Sequence, residues 1–249
     1  MNRSEEAIKP IPLWQSILIG VIIAGIVMIC FYYLRPLLEK AGFSEYASYL
    51  ISLSLGLIVM LIWAVISYLS EENNRTFKDF LIRVRLDGLK SKWLYWALAL
   101  AVIMLLSTVI FSPILSWLIS HNIIPIPHDI PDYINPTKQL SIAKVKEQLV
   151  SQGVIPLIPI VLIINIFSEE IFWRGIILPR QELKHGKDTF WIHGIIWAFT
   201  HLFQYWLLLP ILIGSIALAY VIQRTKCTWI GIVAHALNNG IPFILIILV

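Results

Sequence analysis

The chain has 249 residues, of which 58% are hydrophobic and only 14% charged, with a formal net charge of +4. About a quarter of the residues of a soluble domain are charged, so a soluble globular protein is excluded and a polytopic membrane protein is what these numbers describe. The basic balance does not call for nucleic acid, because the Lys and Arg side chains lie in short segments between apolar runs, where they set topology.

Taken in order, the first apolar run spans Leu13 to Leu34, the second Tyr49 to Leu69 and the third Trp93 to Ile119, each near the ~20 residues that cross a hydrocarbon core. The run after Pro12 exceeds the length of a signal-peptide core and lacks a small-residue cleavage site, so it is expected to stay attached. Between the second and third runs, Glu71–Lys92 holds six basic residues, with Phe77, Phe80, Leu81 and Val84 at helical spacing. A basic amphipathic helix on the membrane surface is expected there. His121–Gly153 is proline-rich, then helical in pattern, with Ile142, Val145, Leu149 and Val150 on one side.

A fourth run begins at Val154 and ends near Pro179. Thr189–Ile222 is too long for one crossing, ~50 Å if fully helical, and is divided near Gln204–Pro210. A last run starts at Thr228. The expected fold is therefore all-α: a polytopic transmembrane helix bundle of about seven spans, with residues 1–249 as one membrane domain and 154–240 as its core helices. Placing the N-terminus in the cytoplasm puts 13 of the 19 Lys and Arg on the cytoplasmic side and five opposite, with Arg174 inside the membrane. Cys30 and Cys227 lie far apart in sequence without metal-ligand spacing, so no disulfide framework is expected.

The most demanding stretch is Ser168-Glu169-Glu170-Ile171-Phe172-Trp173-Arg174-Gly175. One ionisable group at the centre of a membrane helix costs roughly 2.5–3.5 kcal/mol on insertion scales, so such groups default to function. Glu170 and Arg174 stand at i and i+4, the acid N-terminal, which is the better order for an ion pair. Glu169 points about 100° away and lacks a cation four residues on. Counted from the cytoplasmic ends, Glu169 lies roughly 14 Å deep, His201 roughly 18 Å, and His235 and Asn239 roughly 10 and 16 Å. Four polar side chains from three helices thus share one layer.

Glu169-Glu170-x-x-x-Arg174 resembles the EExxxR motif of the CPBP family, the CAAX prenyl proteases and bacteriocin-processing enzymes that include the type II CAAX prenyl endopeptidases. Trp197–His201 resembles the second motif, FxxxH, with Trp in place of the usual Phe. His235–Asn239 resembles the third, HxxxN. The resemblance implies an intramembrane endopeptidase in a bacterial cell membrane, acting on a peptide or a prenylated protein presented at the cytoplasmic face. Hydrolysis needs an activated water and oxyanion donors. Glu169, helped by His201, is the candidate to deprotonate water; His235 and Asn239, on one helical face, are the candidate donors; Arg174 would pair with Glu170 and support the site. Glu169, His201 and His235 are also zinc-ligand types, but the H-E-x-x-H signature is missing, and a metal-free mechanism is preferred, with zinc as the alternative.

Blander expectations stand beside these. Trp14, Trp93 and Trp229 read as interfacial anchors; Asn165 and Asn238 as helix–helix contacts, Asn238 facing away from Asn239; His185 as solvated; His193 as structural. His121, His128, Asp129 and Asp132 cluster in a loop at spacing too irregular for a metal site. The competing functions are a non-catalytic bacteriocin-immunity or regulatory protein on the same scaffold, and a proton-coupled transporter.

Overall fold

The computed structural model describes residues 8–71, 75–88, 90–127, 130–138 and 140–248, an all-α membrane bundle with no strand among the described residues. The helices are α1 (Leu13–Ile29), α2 (Arg35–Lys40), α3 (Glu45–Leu69), α4 (Phe77–Arg83), α5 (Ser91–Ser120), α6 (Ile142–Ser151), α7 (Leu157–Glu169), α8 (Leu178–His185), α9 (Thr189–Phe199), α10 (Leu208–Thr225) and α11 (Thr228–Leu248). Five continuous helical stretches are long and apolar enough to cross a membrane: Leu13–Lys40, Glu45–Leu69, Ser91–Ser120, Leu202–Thr225 and Thr228–Leu248. The expected fourth span is also one helical course, through α7 and α8, but it carries Glu169, Glu170 and Arg174. The expected fifth is only the eleven residues of α9, because the helix breaks at Thr200 and His201, earlier than anticipated. A 3₁₀ segment, Leu202–Leu207, follows, with Gln204 in a non-helical conformation (φ −126°, ψ 52°), and α10 returns beside α9. That return is close: Ser215 Oγ donates to the Gly194 carbonyl at 2.9 Å, and a Cβ on Gly194 would stand 2.7 Å from the Ile216 backbone.

Two π-helical stretches each sit just before a proline. Cys30–Leu34 joins α1 to α2 ahead of Pro36, and Glu170–Ile177 joins α7 to α8 ahead of Pro179. Proline has no N–H and its ring crowds the carbonyl one turn back, so the preceding turn widens and frees a carbonyl. Before Pro179 a guanidinium takes it, Arg83 Nη1 donating to Gly175 O at 2.7 Å; before Pro36, Arg35 Nε donates to Phe31 O at 3.3 Å. All eight residues of the second stretch are buried. Phe172, Trp173, Ile176 and Ile177 there belong to the largest hydrophobic cluster, with Trp63 of α3 against Phe172 (ring centroids 5.4 Å).

The segment after α3 departs from the surface helix expected over Glu71–Lys92. Only α4 is helical, capped by Thr76 Oγ1, which accepts from Asp79 N at 3.1 Å. Val84 is buried and Phe80 and Leu81 pack inward, but Phe77 is exposed. Arg83 and Arg85 are not solvated. Arg83 makes a two-pronged pair with Glu71 (2.6 and 2.7 Å), and Glu71 also receives Arg180 Nη2 at 2.7 Å. Arg85 grips Glu182 of α8 in the same way (3.0 and 2.6 Å), and Lys226 reaches the same carboxylate. The loop continues across the α10–α11 turn, where Thr228 N donates to Arg85 O and Trp229 Nε1 to Leu86 O. Trp229 is thus a bonded clasp; Trp14 is exposed, as an anchor would be. This clamp ties α4, α8 and α11 together at one end of the π-helical stretch.

In the His121–Gly153 connection, α6 starts at Ser141, whose Oγ accepts from Lys144 N at 3.3 Å. Of its expected apolar side, Leu149 is buried and Val145 half-buried, whereas Ile142 and Val150 are exposed.

Removing one partner of a buried pair costs about 3–5 kcal/mol. Arg83→Met should lower unfolding stability in detergent by up to that order, since it takes two hydrogen bonds from Glu71, leaving it Arg180, and strands the Gly175 carbonyl; wild-type resistance to SDS denaturation would contradict the clamp.

Candidate active site

The two adjacent carboxylates lie on either side of a change in helix type. Glu169 is the last residue of α7 and Glu170 the first of the π-helical stretch. Glu170 and Arg174 are both completely buried, and Arg174 Nη1 donates to Glu170 Oε1 at 3.2 Å, the pairing expected from their spacing. The same oxygen is bonded to His235 Nδ1 of α11 at 3.1 Å. This contact requires α11 to come very close: a Cβ on Gly231, one turn before His235, would collide with Glu170 Oε2 and stand 2.8 Å from Ile222 Cδ1. Glycine is needed here for proximity, not for its backbone freedom.

Glu169 has a different environment. Its Oε2 accepts the indole N–H of Trp197 at 3.2 Å, and its Oε1 has no hydrogen bond among the described residues. Trp197 also lies under the guanidinium of Arg174, 4.1 Å from ring centroid to Cζ, a cation–π contact. Its carbonyl accepts from Thr200 Oγ1 at 2.7 Å and from His201 Nδ1 at 3.3 Å. With the Nδ1 proton so engaged, a neutral His201 ring has its lone pair on Nε2. His201 is not within a helix but in the turn that ends α9. That turn is held by Gln204 N on His201 O (2.8 Å), Tyr32 Oη on Phe203 O (2.9 Å) and the Phe203 ring stacked on the imidazole (6.1 Å).

Glu169, His201, His235 and Asn239 all line one cavity of about 590 Å³. Trp197, Asn165 and Asn238 line it as well, and the remaining wall is largely aliphatic, with Leu53 and Met60 of α3 and Met104 of α5. Glu170 and Arg174 lie behind this wall. Asn238 does not face away as expected. Its Nδ2 donates to Asn239 Oδ1 at 3.0 Å, which leaves the Asn239 amide N–H groups as donors. Asn165 accepts from Ser54 Oγ at 3.4 Å, the interhelical contact expected of it, and also reaches the cavity. Trp197 and Asn238 are the residues that motif reading undervalued; the only sequence signal was Trp at a position where the motif carries Phe.

The other histidines lie elsewhere. His193 is fully buried and bonded through Nδ1 to Gln181 Oε1 at 2.7 Å, a structural role. His185 is half-buried, not solvated. His121 Nδ1 donates to Trp117 O at 2.8 Å, and Asp132 stands 4.0 Å from Lys138 Nζ; His128 and Asp129 lie outside the described residues. Both described cysteines are free.

Zinc sites of this class take three or four His, Cys, Asp or Glu ligands. No group of three or more such residues among the described ones is arranged to hold a metal ion. Glu170 is committed to Arg174 and His235, and Glu169, His201 and His235 are not grouped as a zinc ligand set among the described residues.

The class these features define is an integral membrane helix bundle with a buried carboxylate–imidazole–amide site opening on an apolar cavity. A family model described as type II CAAX prenyl endopeptidase, Rce1-like, matches residues 151–241, a little over a third of the chain and the part that holds all three motifs. That match bears out the resemblance read from the motifs: residues 151–241 are similar to the type II CAAX prenyl endopeptidases. Comparison with curated proteins and with solved structures gives no match.

Gly231→Ala should push Glu170 off its partners and overpack α11, with a stability loss of about 1–3 kcal/mol in detergent unfolding. An Ala variant as stable as the wild type would show that α11 can stand off from Glu170 without loss.

Proposed function

We propose that the protein is an intramembrane endopeptidase in which Glu169 activates water for attack on a peptide bond held in the cavity. The reading rests on one observation above all: Glu169, His201, His235 and Asn239, drawn from three separate parts of the chain, line the same cavity. Glu169 Oε1 holds the water and takes one of its protons as the water oxygen bonds to the scissile carbonyl carbon. The lone pair on His201 Nε2 is a second acceptor for the same water, its orientation fixed by the Trp197 carbonyl. The developing oxyanion is met by the Asn239 amide, turned by Asn238, and by His235. Because Glu170 holds His235 Nδ1, donation from Nε2 requires a ring carrying both protons, so that Glu169 and Glu170 together balance the charges of His235 and Arg174. Glu169 then returns its proton to the leaving amine as the C–N bond breaks.

The largely aliphatic wall suits a peptide of apolar side chains or one bearing a prenyl chain, entering from the cytoplasmic half if the N-terminus faces the cytoplasm as the basic residues indicate. Arg174 supports the site from behind Trp197 and touches no reacting atom.

Glu169→Gln and His201→Ala should each lower cleavage of a quenched-fluorescent apolar peptide, His201→Ala by at least the 10²-fold typical of general acid–base partners, with detergent unfolding unchanged. Wild-type rates in Glu169→Gln would end the proposal and favour a binding or immunity role on this scaffold. Because the side chains do not form a ligand set, incubation with a strong chelator should leave the rate intact. Loss of activity restored by zinc would reverse the metal-free reading.

A further inference from the structure

Trp197 occupies the position where the second motif has Phe, and its benzene-sized contacts could be made by either residue. Its indole N–H could not. That proton is donated to Glu169 Oε2 at 3.2 Å, while the face of the same ring carries the Arg174 guanidinium at 4.1 Å and its edges approach the imidazoles of His201 (centroids 4.8 Å) and His235 (6.3 Å). One side chain therefore touches four of the six polar motif residues, and it is itself buried, with 3% of its surface exposed.

We infer that Trp197 is a positioning residue for the reaction: its N–H fixes one oxygen of Glu169 so that the other faces the bound water, and its ring covers the buried Arg174 on the cavity side. The inference rests on the assignment of Glu169 as the base. Three features of the structure carry it. A glutamate side chain has three rotatable torsions, and without a bond to Oε2 nothing among the described residues holds its carboxylate, since Oε1 makes no hydrogen bond. Arg174 pairs with Glu170, and the indole ring that lies against its guanidinium lines the cavity while Arg174 does not, so Glu169 has a neutral donor and no ion pair among the described residues. Finally, the backbone of the same residue accepts from His201 Nδ1, so a displacement of Trp197 moves base and imidazole together. A core-filling tryptophan would satisfy none of these relations except by accident of packing.

The test uses the full chain in lipid nanodiscs with a quenched-fluorescent peptide of uncharged apolar residues. Trp197→Phe keeps most of the ring and removes the donor; kcat should fall roughly tenfold to a hundredfold, the effect of losing a hydrogen bond to a charged group, with KM within about twofold and the unfolding midpoint unchanged. Should Trp197→Phe fold poorly, replacement of Trp197 by benzothienylalanine, which has the indole shape with sulfur in place of N–H, isolates the donor and is expected to give the same fall in kcat. In ¹⁵N-indole spectra the Trp197 resonance, assigned by its loss in Trp197→Phe, should move in Glu169→Ala, independently of any turnover. Wild-type kcat in the benzothienylalanine protein, or a Trp197 resonance unmoved by Glu169→Ala, overturns the inference and leaves the role of Glu169 standing. Cleavage by the wild type that Glu169→Gln does not impair, or no cleavage at all, overturns the assignment of Glu169 and this inference with it.

Discussion

A completely buried arginine is the constraint around which the centre of this molecule is built. Moving a charge of that size out of water costs several kcal/mol even after relaxation, and the cost is offset only by a well-placed counter-ion with its remaining lone pairs satisfied. Arg174 has a counter-ion in Glu170, bonded through Oε1 while Oε2 is without a hydrogen-bond partner among the described residues, and a second, weaker one in the negative face of the Trp197 ring. Glu170 in turn binds His235, and the approach of α11 that makes this contact is the reason a glycine stands at 231. Remove the arginine from that arrangement and the reasons for the positions of α7, α9 and α11 relative to one another largely vanish.

The π-helical stretch gives the ion pair its setting. A turn widened ahead of Pro179 places Glu170 and Arg174 in the interior, and such turns are found disproportionately at functional sites. The carbonyl freed by the proline would be an unsatisfied acceptor in an apolar core, at a cost of about 1–3 kcal/mol. Arg83 satisfies it from a segment that is distant in sequence. The clamp of Glu71, Arg83, Arg180, Arg85 and Glu182 is thus continuous with the site: it holds the end of the helix whose irregularity creates the site. A positive-inside count treats all of these arginines alike, yet Arg83 and Arg85 are fixed by carboxylates and carry structural load as well as charge.

What could be read from the sequence follows from which interactions are local. Spacing along one helix is enough to pair Glu170 with Arg174 and to put His235 and Asn239 on one face, and apolar run length finds the long spans. The early break after α9 is not a property of its own residues. Thr200 and His201 are tolerable in a helix, and the turn is held by Tyr32, whose hydroxyl donates to the Phe203 carbonyl and which no window around position 201 contains. Asn238 differs from its expected orientation for a related reason: a helical wheel places it away from Asn239, but its side chain bends along the helix surface to its neighbour. Arg83 and Arg85 carry the same lesson in the loop, since a charged residue between two spans reads as solvated until its carboxylate partners are located.

The adjacency of Glu169 and Glu170 raises a question that the geometry answers. Two carboxylates one residue apart in an apolar interior would repel each other and compete for the same guanidinium if their surroundings were alike. Their surroundings are not alike, because the helix changes type between them and the Trp197 ring lies between the guanidinium and the cavity. Glu170 is turned inward to a permanent cation and an imidazole, which removes it from chemistry. Glu169 is turned to the cavity, where its only hydrogen-bond partner among the described residues is a neutral N–H donor that orients without neutralising. A neutral donor is the partner a base can keep: it holds the carboxylate in place but leaves it the charge with which to take a proton, whereas a salt bridge would hold it equally well and blunt it. The division of labour between the two glutamates is therefore set by their third neighbour, and that neighbour is the tryptophan.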